Sequence, residues 1–354
     1  MSNRHVAPEA PETMSDRFRD AIAPRSLALG IGVLLLQFGF ILSYIGAFHA
    51  PAPHRIPVTV VAPPQVASQL VDRLNGIAGE PVNAGTTTDE GAARRALLDG
   101  DTSGVCVVDP SRPTDTLLIA SGGGSSVATA VQQLFTQAAA QQQRSITVQD
   151  LVPLQPGDAR GLSGFYLVIG WAVGGYLFGS MLGIAKGSCP ANFHRALWRL
   201  GATVPYALSS GVGGAIIAEP VLHAMAGHFW SIAGIGVLVT LAAATVTIAL
   251  QMLFGVIGIG LTVVIFVILG NPSAGGAYQP GLLPPFWRAI SSALPNGAGT
   301  EAIRRIVYLG GHGVAHSVVV LALWVVGGAL LTVAASALQH RTRNDPRATA
   351  VAPG

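Results

Sequence analysis

Charge is what this sequence has least of. Only 10% of its 354 residues are Asp, Glu, Lys or Arg, against about 25% in an ordinary soluble domain, while 50% are hydrophobic. So little charge excludes a conventional water-exposed globule and makes lipid the solvent for much of the chain. Lysine occurs once, as Lys186. An ATP-hydrolysing P-loop needs a lysine followed by Ser or Thr to reach the phosphates. Lys186 stands in GIAKGSC, which lacks that pattern, so any ATP hydrolysis must belong to another chain. There are two cysteines, Cys106 and Cys189, and the topology argued below puts them on opposite sides of a membrane, where they cannot pair. HExxH and G-x-S-x-G motifs are missing. No catalytic residues, metal ligands or cofactor are expected, and the chain is read as not an enzyme. The net charge of +3 is not gathered into a basic stripe, so nucleic acid is not an expected partner.

What is present is a series of apolar runs. A bilayer core of roughly 30 Å needs about 20 apolar helical residues, since lipid offers no partner to a bare backbone group. Residues 26–48 form one such run with no charge. The preceding segment contains acids and no clean A-x-A site follows, which favours an anchor over a cleaved signal peptide. Residues 162–185 form a second, with Gly170, Gly174, Gly175, Gly179 and Gly183 near helical spacing, a pattern that lets helices pack closely in lipid. A third run, 201–222, is weaker because it holds Pro205, Glu219 and Pro220. Residues 220–287 contain no Asp, Glu, Lys or Arg. Within them 230–270 accommodates two helices with a tight turn near 251–255, and a sixth helix covers 316–338.

Arginine and lysine in the short loops set the orientation. Arg4, Arg17, Arg19 and Arg25 precede the first run, Lys186, Arg195 and Arg199 lie between the second and third, and Arg341, Arg343 and Arg347 follow the last. The expected fold is therefore an α-helical integral membrane protein of six transmembrane helices with an extracytoplasmic α/β domain between helices 1 and 2. It is placed in the cell membrane, multi-pass, with both termini cytoplasmic. The domains are a cytoplasmic tail (1–25), helix 1 (26–48), the α/β domain (49–161), a five-helix region (162–338) with an outer hairpin (271–315), and a cytoplasmic tail (339–354).

The α/β segment reads as strands at 56–62, 81–87, 104–108, 116–120 and 146–151, and helices at 65–77, 90–98 and 125–142. Asp89 and Ser125 are its candidate N-caps. The glycine run Gly122, Gly123 and Gly124 is read as a strand-to-helix turn, because the fuller dinucleotide fingerprint is missing. A last helix rich in Gln132, Gln133 and Gln137 suits solvent or a partner.

Three other features carry functional readings. Phe193, His194, Arg195, Trp198 and Arg199 make a short amphipathic stretch fit to lie on the membrane surface, to dock a cytoplasmic subunit, or merely to set topology. Glu219 is the one acid within the runs and is read as interfacial, a gating contact, or a proton carrier. In the hairpin, a short helix over 286–294 ends at Pro295 and a second covers 300–308, with Ile303, Ile306 and Val307 on one face and Glu301, Arg304 and Arg305 elsewhere. These two helices form either a re-entrant outer plug or a pair resting on the headgroups.

The run GNPSAGGAYQPGLLPPFWRAISSALPNGAGTEAIRRIVY, with the anchor, the large insertion and the five further helices, resembles the membrane subunits of ABC exporters of the second permease type, and more narrowly their phage-infection-protein-like branch. Asn271, Pro272, Leu283, Pro284, Phe286, Trp287, Arg288, Leu294, Pro295, Gly297, Ala298, Arg304 and Tyr308 carry it. The resemblance implies a permease half that pairs with a second half and with a cytoplasmic ATP-hydrolysing subunit. The ATPase would act through the loop from Lys186 to Leu200, and an outer gate would be built from the hairpin. The expected activity is export of an amphipathic or hydrophobic substrate, with membrane lipid as a further partner. The alternative is a membrane-anchored envelope scaffold or binding protein acting through its extracytoplasmic domain.

Overall fold

The structure, a computed structural model, describes residues 24–184 and 193–343. The readings for residues 1–23, Lys186, Cys189 and Arg347 lie outside them. Helix α1 (Pro24–Phe48) is an uninterrupted apolar helix about 37 Å long at 1.5 Å per residue. A linker then leads into the α/β domain: β1 (Ile56–Val61), α2 (Pro64–Asn75), β2 (Val82–Thr87), α3 (Glu90–Asp99), β3 (Gly104–Val107), β4 (Thr114–Ile119), α4 (Ser125–Gln141) and β5 (Ser145–Asp150).

The five strands form one sheet in the order β2-β1-β3-β4-β5. Every pairing is parallel except the β3–β4 hairpin. Alternation in β1 sends Ile56, Val58 and Val60 to one face, where they pack with Leu74 of α2 and Val131 and Phe135 of α4. The other face is covered by α3, with Leu97 against Val105 and Leu118. Burying a side chain of this size is worth about 1.5–3 kcal/mol, which is what holds so small a domain together. Asp89 caps α3 as expected, its side chain accepting the Ala92 N–H at 3.0 Å. Ser125 does not cap α4: the N-cap is Gly124, and the Ser125 hydroxyl donates to the Arg160 carbonyl.

The remaining helices are α5 (Ser163–Ile184), α6 (Phe193–Ile216), α7 (Phe229–Phe254), α8 (Val256–Val263), α9 (Pro285–Ser291), α10 (Pro295–Tyr308) and α11 (Val314–Arg343). Helix α8 runs on through a π-helical stretch, Val264–Leu269, and a last turn, Gly270–Ser273. Six helices, α1, α5, α6, α7, the extended α8 and α11, are long and apolar enough to cross a membrane. The turn between α7 and α8 is one residue, Gly255, at φ 59 and ψ −131, a conformation that side-chain-bearing residues avoid.

Helix α7 is the axis of the bundle, packed by α5, α6 and α11. Small residues set how closely the helices approach. A Cβ on Gly175 would lie 2.6 Å from the Thr240 carbonyl oxygen, and one on Gly179 2.9 Å from that of Ala244. Gly211 of α6 and Gly328 of α11 press on α7 in the same way, whereas Gly170 faces open space. Helix α1 stands at the edge and touches mainly the extended α8, where Gly39 meets Ile268.

Two boundaries differ from the sequence reading. The amphipathic stretch after the second run is not a separate surface helix, because Phe193 already belongs to α6. Pro295 does not end a helix but opens α10, a position where its missing N–H costs nothing. Helix α10 is inserted among α5, α7 and α11 and is buried from Pro295 to Thr300, so it is not a helix resting on the bundle surface.

Candidate functional site

The α/β domain is clamped to one end of the bundle. The linker pairs with the chain before α9, the Ala52 and His54 N–H groups donating to Leu282 and Gly281, and Leu282 enters the core of the domain. Gln279, itself buried, accepts hydrogen bonds from the Ser126 hydroxyl and the Val127 N–H. The Tyr308 hydroxyl donates to Asp158 Oδ2 at 2.7 Å, while Asp158 Oδ1 accepts the Ser163 N–H that opens α5. The Tyr308 ring fills the place of a side chain at Gly122, where a Cβ would come within 2.3 Å. Burial first, and then the Asp158 carboxylate, raises the Tyr308 pKa above the usual tyrosine range. Leu309 fits between Gly100 and Gly123, and His312 Nε2 lies 3.3 Å from Asp99 Oδ1.

Between these clamps is a chamber of about 640 Å³. Its roof comes from β1, the end of α3 and the Gly123–Gly124 turn; its floor comes from Ala274, the end of α9, α10 and the start of α11. Three charged side chains of α10 form part of the wall. Glu301 accepts from Arg304 at 2.6 Å and from Arg305 at 2.7 Å. Arg304, 8% exposed, also donates to the Gly275 carbonyl, and Arg305 donates to that of His312. Each arginine therefore braces a loop bordering the chamber. The strap from α10 to α11 contains Gly310, Gly311 and Gly313, all at positive φ. A second hollow of about 510 Å³ lies across this strap, apolar and lined by Trp230, Leu238, Ile306 and Val318 among others.

The hairpin residues singled out in the sequence separate into different roles. Gly297, Ala298, Glu301, Arg304 and Arg305 among them line the chamber. Tyr308 latches the domain. Asn271 sits in a buried polar knot, its Nδ2 donating to the Tyr44 hydroxyl and its Oδ1 accepting from Asn296, which also donates to the Phe266 carbonyl. Pro272 is buried beside it and Pro295 opens α10. Trp287 packs against Ala47 and Leu283 below half-buried Pro284. Phe286 is exposed, and Arg288 has a buried NH1 without a hydrogen-bond partner. Gln279, Asp158 and Asn296 were not anticipated, since their partners are remote in sequence.

At the opposite end of the bundle, the first turns of α6 expose Phe193, His194, Arg195 and Trp198, Arg199 is half-buried, and Ala196 faces inward onto Ile248 and Met252. Glu219 lies in a π-turn, Ile217–Val221, at the far end of α6. Its Oε1 accepts the Gly227 N–H at 2.7 Å, tying down the loop to α7, while Oε2 is buried without a partner. Among the described residues no three His, Cys, Asp or Glu side chains cluster as metal ligands.

Comparison with protein-family models, with curated proteins and with solved structures gives no match.

Proposed function

We propose that this chain is the membrane subunit of an exporter akin to ABC permeases of the second type, in their phage-infection-protein-like branch. In this reading the six long helices span the cell membrane with both termini in the cytoplasm, and the α/β domain stands outside. The chamber receives an amphipathic or hydrophobic substrate and α10 with its strap forms the outer gate. The observation that carries the reading is the chamber itself, a hollow of about 640 Å³ where a mostly apolar bundle meets a soluble domain. Its wall combines charges with apolar side chains, as a compartment for amphiphiles requires.

The drive comes from elsewhere. Glu219 is the one acidic side chain within the six candidate spans, and its bond to Gly227 commits it to holding a loop. A separate ATPase would engage the segment from Lys186 through the exposed first turns of α6, and a second permease half, identical or not, would complete the pathway. The exposed glutamines of α4, Gln132, Gln133 and Gln137, favour as a second reading an envelope scaffold that binds partners through the α/β domain.

Purification of the complex from its native membrane tests the leading reading. It predicts that a nucleotide-binding subunit accompanies the chain and is lost in an Arg195→Glu, Trp198→Ala variant. A stable particle without such a subunit would overturn it.

A further inference from the structure

The chamber wall carries more positive than negative charge. One carboxylate, Glu301, serves two guanidinium groups, Arg304 and Arg305. Arg55, paired with Glu80 at 3.3 Å, and Asp101 are the other fully charged residues of the lining, so the positive surplus is local to the α10 wall. It does not sit in open water: Arg304 is more than nine-tenths buried. A guanidinium removed from solvent is stabilised by a partner of opposite charge, and the second arginine has no carboxylate of its own among the described residues.

Hydroxyl groups lie alongside. Ser291 and Ser317, both largely buried residues, line the chamber. Val127, Ala298 and Leu309 give the wall apolar surface beside these groups.

We propose that the chamber binds the anionic head of an amphiphile, a phosphate or carboxylate bonded by Arg304 and Arg305 with Ser291 and Ser317 on its remaining oxygens, and its apolar part against Leu309 and Ala298. Paired arginines suit such a head because their planar donors match two oxygens at once. Glu301 then acts as a built-in competitor that holds the arginines in place while the site is empty. This inference rests on the chamber being the substrate compartment.

The test uses the full chain in nanodiscs of zwitterionic phosphatidylcholine and three probes: a monoacylglycerol phosphate, the matching neutral monoacylglycerol, and inorganic phosphate. Charge-assisted contacts predict that the phosphate-bearing amphiphile binds about tenfold or more tightly than the neutral one. Arg305→Gln should weaken that binding about tenfold, and Glu301→Gln should tighten it by removing the competing carboxylate. The opposite signs separate ligand binding from simple loss of structure. Displacement by amphiphile alone assigns a lipid head, whereas displacement by inorganic phosphate at the same concentration assigns a free anion to the same arginines. Equal binding of the neutral and charged amphiphiles, or indifference to both substitutions, overturns the proposal. The readout needs no ATPase, so loss of binding and lack of an ATPase partner are separate failures.

Discussion

Replacing Tyr308 with Phe removes one oxygen atom and tests how the α/β domain is held. Asp158 is 4% exposed; its Oδ2 accepts the Tyr308 hydroxyl at 2.7 Å and its Oδ1 the Ser163 N–H at 2.9 Å. The phenylalanine ring can still fill the space at Gly122, so the change removes only the hydroxyl's bonds, the short one to Asp158 and a long one, 3.4 Å, accepted from the Gln155 N–H. A hydrogen bond to a charged group contributes about 1.5–3 kcal/mol, and a buried oxygen left without its donor costs a similar amount. At 1.4 kcal/mol per factor of ten, docking should weaken by roughly tenfold to a hundredfold. Hydrogen exchange of residues 155–163, compared between wild type and Tyr308→Phe in nanodiscs, reads that ratio directly. Asp158→Asn should have a comparable effect, and the double substitution should cost clearly less than the sum. The hydroxyl is held neutral with its pKa raised, so its contribution is fully present below about pH 10 and is lost as pH rises further through the raised value. Exchange rates unchanged by Tyr308→Phe, or strictly additive effects, would refute the latch.

Three further expectations follow from packing and charge. Arg144 grips buried Asp115 through two bonds, of 2.8 and 2.6 Å, so Arg144→Ala should cost the α/β domain about 3 kcal/mol, seen as an earlier melt of that domain. Burial, reinforced by nearby Asp115, pushes the Cys106 thiol up to about 12; it should resist maleimide at pH 8 while the domain is folded and react promptly once it unfolds. Gly175→Val would press a branched side chain onto the Thr240 carbonyl, 2.6 Å from a new Cβ, and should disrupt the α5–α7 contact. Loss of monodisperse protein on size exclusion checks this, with Gly170→Val as the tolerated control.

The positions of the long helices were legible because each needs only an apolar run of sufficient length, and the turn at Gly255 falls within the expected interval. The strands of the α/β domain were legible from alternation, to within a residue or two at most ends. Burial of Arg304 was not. Residues 303, 306 and 307 define one apolar face, but α10 is enclosed on several sides, and Arg304 points to the Gly275 carbonyl on another. A one-faced helix pattern has no means of announcing that. Pro295 misled because proline both ends and begins helices, and only the chain path distinguishes the two. The latch joins Tyr308 to a residue 150 positions earlier, and Gln279 reaches back 153 positions to Ser126, separations that leave no local trace. The chamber exists only because such distant segments meet, so its residues could be read singly but not as a set.

The account depends most on the two ends of the bundle facing opposite sides of a membrane. In a Cys189→Ser background, where buried Cys106 is the one native thiol left, a cysteine introduced at Gln137, exposed on α4, or at His194, exposed at the start of α6, can be labelled with a membrane-impermeant maleimide. The account predicts labelling of Gln137→Cys in intact cells and of His194→Cys only after permeabilisation. Labelling of both, or of neither, in intact cells would contradict it.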